Sequence, residues 1–142
     1  MSDYIQKIYS RIKPELLIHQ VIRSLAFDDA KFRINACEED KWLQIAILNL
    51  DLNQTFKPHK HILRDINTKM RPAECWVVLS GKVKVFYWDI DDKPLDIKIL
   101  ESGDMTLTFE GGHTYESLEC NTKVYEIKTP FYEGISKDKV FI

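Results

Sequence analysis

The stretch that most constrains this chain is PHKHILRDINTKMRPAECWVVLSG, residues 58 to 81, where two histidines stand two apart ahead of a glutamate that opens an apolar run. In an extended segment, side chains two apart leave the backbone on the same face, so His59 and His61 project together if this stretch is a strand. Pro58 favours that reading because a proline disfavours the helical conformation in the residue before it, here Lys57. Glu74 follows at the head of the apolar run, and a glycine-flanked His113 appears later in EGGH. Three imidazoles and one carboxylate form a nitrogen and oxygen set suited to Fe, Mn, Ni, Co, Cu or Zn, and the set alone does not choose among them. The expectation is one divalent transition-metal ion held by His59, His61, Glu74 and His113. The fourth histidine, His19, falls in the N-terminal segment and is read as a packed or solvent-facing residue rather than a ligand.

A chain of 142 residues suits one domain. Its Lys and Arg total 20 against 22 Asp and Glu, a net charge of -2. That balance argues against a nucleic-acid partner, whose phosphates call for a basic face. No apolar stretch reaches membrane-spanning length, and MSDYIQKIYSRIKPE lacks the apolar heart of a secretory signal, so the expected location is the cytoplasm. Cys37, Cys75 and Cys120 are odd in number and widely spaced, which suits reduced, packed thiols better than a disulfide framework.

Along the chain, DYIQKIYSRI and the segment from Glu15 to Ser24 carry apolar residues at spacings that predict two short helices, with Pro14 near the first turn of the second. Residues 1–29 are read as a helical extension and 30–142 as a single β-rich domain. KFRINA predicts an edge strand, CEED a turn, and KWLQIAILNLDL a longer strand whose apolar residues occupy both parities, as in a sandwich. ILRDINTKMRPA reads as a loop or long hairpin at a cavity mouth, and Arg64 or Arg71 within it is a candidate for contacting a substrate carboxylate or phosphate. ECWVVLSGKVKVFYWDIDDKPLDIKIL divides into strands at Ser80-Gly81 and DIDDKP. Trp76 shares the parity of Glu74 and becomes a candidate apolar wall for a ligand. Tyr87 and Tyr115 are read as packing residues able to supply a proton only if turned inward. Gly111 and Gly112 permit backbone angles closed to residues with a Cβ, which lets His113 enter at a bend. FYEGISKDKVFI is expected to wrap over a sheet edge.

These motifs resemble the cupins. His59, His61, Glu74 and Gly81 match the first cupin motif, and Gly103 and His113 represent the second. The gap from His61 to Glu74 is longer than the compact motif, and Asn53 stands where a glycine usually leads. The resemblance implies a mainly β fold, a cupin double-stranded β-helix or jelly-roll barrel, here preceded by the short N-terminal helices. It also implies one divalent metal inside the barrel. LQIA, PHKH, ECWVVLSGKV, GDMTLTFEGGH and YEGISKDKVF further resemble the small WbuC-like cupins of bacterial surface-polysaccharide biosynthesis.

The leading functional expectation is a metal-binding cupin acting on a carbohydrate or sugar-derived intermediate, with the metal polarising a carbonyl or hydroxyl. Two alternatives stand beside it: an iron-dependent dioxygenase, and a non-catalytic carbohydrate-binding or regulatory cupin. A homodimer formed through exposed strand edges is expected, because open edges offer unpaired backbone groups.

Overall fold

The structure is a computed structural model that describes residues 4–62, 64–66, 68–70, 72–129 and 139–142. Its elements follow the strand-forming segments of the sequence. One five-stranded sheet contains β3 (Arg33–Asn35), β4 (Gln44–Leu50), β8 (Ala73–Ser80), β11 (Met105–Thr108) and β13 (Thr122–Thr129), in the order β11-β8-β13-β4-β3. The other contains β5 (His59–His61), β9 (Val83–Trp88), β10 (Pro94–Leu100), β12 (Gly112–Ser117) and β14 (Lys139–Phe141), in the order β10-β9-β12-β5-β14. Two separate hairpins are β1 (Ile5–Tyr9) with β2 (Leu17–Ile22), and β6 (Arg64–Ile66) with β7 (Thr68–Met70). A single short helix, α1 (Ala26–Asp29), completes the described elements.

Strand alternation divides the interior into two ends. At one end, Leu48, Leu50, Val78 and Val124 from the first sheet meet Val83, Val85 and Tyr115 from the second, all buried. Each such aliphatic side chain contributes about 1.5 to 3 kcal/mol relative to exposure. Toward the other end the same inner faces become polar. Gln44, Lys128, Glu74 and Thr108 lie side by side across β4, β13, β8 and β11. On the facing sheet, Tyr87, His113, His59 and Phe141 lie side by side across β9, β12, β5 and β14. A second cluster, built on Phe27 and Ile47, packs α1 and the first hairpin against the outside of β4.

Two expectations about the fold are corrected. The N-terminal segments are strands, paired antiparallel with Ile5 opposite Ile22 and Ile8 opposite His19. Their apolar residues are mostly β-branched, which favours extended backbone, and segments of this length gain little from isolated helix formation. Pro14 sits in the connecting turn, where Leu16 N–H donates to Lys13 O at 2.9 Å, the position a turn proline suits.

Nor do the sheets close into a barrel. Among the described residues no ladder joins them, so β10 and β14 border one sheet while β11 and β3 border the other. Consecutive β10 and β11 bond to β9 and β8 respectively, and the chain changes sheets through the Glu101–Asp104 turn, where Asp104 N–H donates to Glu101 O at 2.9 Å. Strand β10 is exposed along its length except at Leu100, leaving its outer edge to solvent.

Several expectations hold. β3 is an edge strand and β6 and β7 pair as a hairpin; of the segment expected to wrap over an edge, β14 lies at a sheet edge beside β5, and residues 131–138 lie outside the described residues. Gly81 and Gly111 adopt φ of 85° and 78°. A Cβ on Gly81 would lie 2.8 Å from Thr122 Cα, and one on Gly111 would lie 2.5 Å from Trp88 O. Both positions therefore require glycine for space as well as for backbone angle.

Candidate metal centre

The extended backbone of β5 turns His59 and His61 inward together, and the neighbouring β12 places His113 directly across from His59. Glu74 enters from β8 on the facing sheet. All four side chains are buried, and one ligand atom from each lies within 4.8 Å of every other. His113 Nε2 is 3.2 Å from His59 Nε2 and 3.4 Å from His61 Nε2. Glu74 contributes Oε2 at 3.1 Å from His61 Nε2 and Oε1 at 3.5 Å from His113 Nε2.

These spacings test whether a metal fits. Metal bonds of about 2.1 Å place adjacent ligand atoms roughly 3.0 Å apart at right angles and roughly 3.4 Å apart in a tetrahedron. The edges of 3.1, 3.2 and 3.4 Å fall in that range, and the edge of 3.5 Å lies just above it. Proton placement agrees as well: His59 Nδ1 lies 2.9 Å from Lys57 O, and a carbonyl oxygen only accepts, so Nδ1 carries the proton and Nε2 presents a bare lone pair to the cluster. His113 Nδ1 lies 2.7 Å from Thr108 Oγ1, and donation to that hydroxyl leaves its Nε2 bare in the same way. The buried cluster is a site for one divalent transition-metal ion, of a kind the donor set does not specify.

Electrostatics favour a neutral His59 and an ionised Glu74. Burial, then the positive charge of Lys139 and the neighbouring His113, push the His59 imidazole down to about 4, so it is neutral at pH 7. Burial opposes the charge on Glu74, but His113, the hydrogen bond and charge of His61, and Lys128 outweigh it and hold the carboxyl far below the usual carboxylate range. Burial, reinforced by Glu74 and Glu126, raises the Tyr115 phenol well above its ordinary value. Tyr115 thus remains protonated, with its hydroxyl 3.2 Å from His113 Nδ1.

A cavity of about 220 Å³ adjoins the cluster. His59 and Glu74 form part of its wall, together with Trp76, Tyr115, Phe56 and Phe32. Trp76 and Tyr115 stack with ring centroids 3.6 Å apart and planes 2° from parallel. Trp76 Nε1 donates to Glu126 Oε2 at 3.1 Å, while Arg33 donates to Glu126 Oε1 at 2.6 Å.

Of the candidate substrate residues, Trp76 lines this cavity. Arg71 lies outside the described residues, as does the side chain of Arg64, whose backbone belongs to β6. Sequence reasoning missed Arg33, Lys128 and Lys139, the three cationic residues bordering the cavity. The parity of Lys128 with Glu126 and Val124 along β13 was the available signal. Gln44, beside Lys128 on β4, donates to Glu38 O at 2.8 Å and Lys41 O at 2.7 Å. His19 is exposed on β2, away from the cluster. Tyr87 is held by Thr106, with 2.6 Å between their hydroxyl oxygens.

No family model and no curated protein matches the chain. Solved structures do. KdgF from Halomonas sp. is 18% identical with a TM-score of 0.56, over 71% of this chain and 79% of that one. The capsular polysaccharide assembling protein CapF from Staphylococcus aureus is 15% identical with a TM-score of 0.62, over 78% of this chain and 31% of that one. An oxalate decarboxylase variant from Bacillus subtilis is 16% identical with a TM-score of 0.55, over 72% of this chain and 24% of that one. The chain thus spans less than a third of the latter two, and at these identities the likeness establishes the fold. It is a cupin fold. More particularly, it is a cupin fold carrying a buried three-histidine, one-glutamate metal centre beside a small cavity.

Proposed function

We propose that this chain is a metal-dependent cupin acting on a small, sugar-derived molecule bound in the cavity beside His59 and Glu74. The carrying observation is the juxtaposition of the buried ligand cluster with an aromatic-walled cavity. When bound, a divalent transition metal supplies Lewis acidity toward a carbonyl or hydroxyl oxygen. The protein's own residues set the conditions for that chemistry. Lys57 and Thr108 fix the His59 and His113 rings, while the stacked Trp76 and Tyr115 form an aromatic part of the cavity wall. The buried setting of the four ligands strengthens polar contacts at the cavity.

A setting in surface-polysaccharide synthesis is part of this reading, supported by the WbuC-like motifs and by the fold shared with a capsular polysaccharide assembling protein. A cytoplasmic location accords with it, and no helix among the described residues is long and apolar enough to cross a membrane. We also infer a homodimer. Its support is the apolar surface on edge strands β10 and β11, where Leu95, Ile97, Ile99, Met105 and Leu107 are exposed. Light scattering across protein concentrations tests it, and a persistent monomer at micromolar concentration would refute it.

The functional reading is tested by comparing metabolites with and without the protein, then adding accumulated intermediates to apo protein and to protein loaded separately with iron, manganese, nickel or zinc. At least one sugar-derived intermediate should bind or be converted only when metal is present. No such intermediate, together with unchanged polysaccharide metabolites, would overturn it.

A further inference from the structure

Among the described residues, the longest strand at an edge of the two five-stranded sheets is β10, with 7 residues against 3 or 4 in β3, β11 and β14. Its outward backbone groups are open. In an antiparallel ladder the N–H and C=O of one residue point to the same side, and successive residues alternate. Leu118 N–H donates to Lys82 O on the β12 side and Asp89 N–H donates to Lys93 O on the β10 side, so Phe86, in step with Lys82, turns its groups toward β12. Ile97 lies opposite Phe86, and its own N–H and C=O therefore point away from β9, out of the sheet edge. The carboxylate of the preceding residue meets that N–H, with Asp96 Oδ1 at 2.7 Å.

The side chains along this edge are complementary to themselves. A two-fold axis through Ile97 would set β10 antiparallel to a second β10, with Leu95 opposite the partner's Ile99 and Asp96 opposite the partner's Lys98. Symmetry repeats each pair, and Lys93 falls opposite the partner's Glu101 in the same sense. Unlike charges directly opposed stabilise a sheet, and like charges destabilise it. Moving the axis one residue, to Asp96 or Lys98, sets that residue against its own copy, so charge favours a single register. Asp96 and Lys98 now hold each other along the strand at 2.7 Å, with side chains 50% and 60% exposed. Both can turn to a partner without disturbing the core.

We propose that two copies of this chain join edge to edge through β10, in the register centred on Ile97, so that their sheets run on as one. The inference rests on the homodimer reading above and names the strand and the charges that form it. Ile97 exchanges N–H···O bonds with its copy once Asp96 moves to the partner's Lys98. Leu95, Ile97 and Ile99, all exposed in the single chain, gain apolar neighbours across the join.

Dimer dissociation constants from analytical ultracentrifugation test the charge pairing, with circular dichroism checking the fold. Asp96→Lys sets lysine against lysine and Lys98→Asp sets acid against acid, so each should weaken dimerisation by about ten-fold or more. Mixing the two variants makes every opposed pair unlike, and the mixture should dimerise as tightly as the unaltered chain. The double variant should do the same. Independently, Ile97→Cys in a chain with Cys37, Cys75 and Cys120 replaced by serine should give a disulfide-linked dimer with oxidised glutathione, because Cα atoms of such a pair lie about 5.5 Å apart. Leu107→Cys in that background should not. Dimerisation unchanged in both single variants, or cross-linking through Leu107→Cys and not Ile97→Cys, would overturn the assignment to β10 and leave the homodimer reading intact. A persistent monomer of the unaltered chain at micromolar concentration defeats both. If a charge variant does not fold, the two cysteine variants still decide.

Discussion

His59 donates its Nδ1 proton to the carbonyl oxygen of Lys57, 2.9 Å away and two residues earlier in the chain. This one bond selects the ring tautomer, sets the ring's orientation and points a bare Nε2 at the other ligands. It links Pro58 to the site, since the same extended backbone that presents the Lys57 carbonyl is the one Pro58 favours.

The buried neutral state of His59 makes the metal-free protein sensitive to acid. Its pKa is about 4 in the folded protein and about 6.5 when unfolded, so the unfolded chain takes up the proton first. Stability from this group is fully present above pH 6.5 and declines as pH falls toward 4, by up to about 3 kcal/mol. Denaturant midpoints of metal-free protein at pH 7, 5.5 and 4 check the slope, and His59→Gln should flatten it.

Gly111→Ala should destabilise by about 1 to 3 kcal/mol, because the added methyl meets Trp88 O while the backbone holds φ at 78°. The change lies two residues before His113, so metal affinity should fall with stability. Gly103→Ala is the matched control: φ is 91° but the space around it is open. Its cost should be about 1 kcal/mol, with metal binding retained. Melting temperature and metal titration on both variants separate these outcomes.

The two hydroxyls near His113 Nδ1 should contribute unequally. Thr108→Val removes the partner at 2.7 Å and should weaken metal binding about ten-fold to a hundred-fold. Tyr115→Phe removes the partner at 3.2 Å while keeping the ring stacked on Trp76, and should weaken binding less than ten-fold. Competition with a metallochromic chelator measures both.

The ligand cluster was legible because its chemistry is written in residue type and parity. His59 and His61 needed only an extended backbone, and the structure supplies it in β5. The longer gap between His61 and Glu74 contains the β6–β7 hairpin, so the added length leaves the strands that hold the ligands intact. Asn53, in place of the usual leading glycine, adopts φ of 62°, a left-handed angle that asparagine tolerates better than most residues. The N-terminus was misread because Ile5 and Ile8, and then Leu17, Val21 and Ile22, also suit a helical spacing, while the β-branched residues among them favour extended backbone and Ile5 pairs with Ile22 in a hairpin. Sheet closure depends on which backbone edges meet, which local pattern does not encode. Lys128 and Lys139 escaped notice for the same reason: each becomes part of the site only through its cross-strand partner.

The central claim is that His59, His61, Glu74 and His113 together hold one metal ion. Elemental analysis of protein purified without nickel affinity, combined with anomalous scattering from its crystals, tests it most directly. The account predicts about one transition-metal ion per chain between these four side chains, lost on His61→Ala and on Glu74→Ala while the strands remain folded. Metal reproducibly bound elsewhere, or its full retention in both variants, would contradict it.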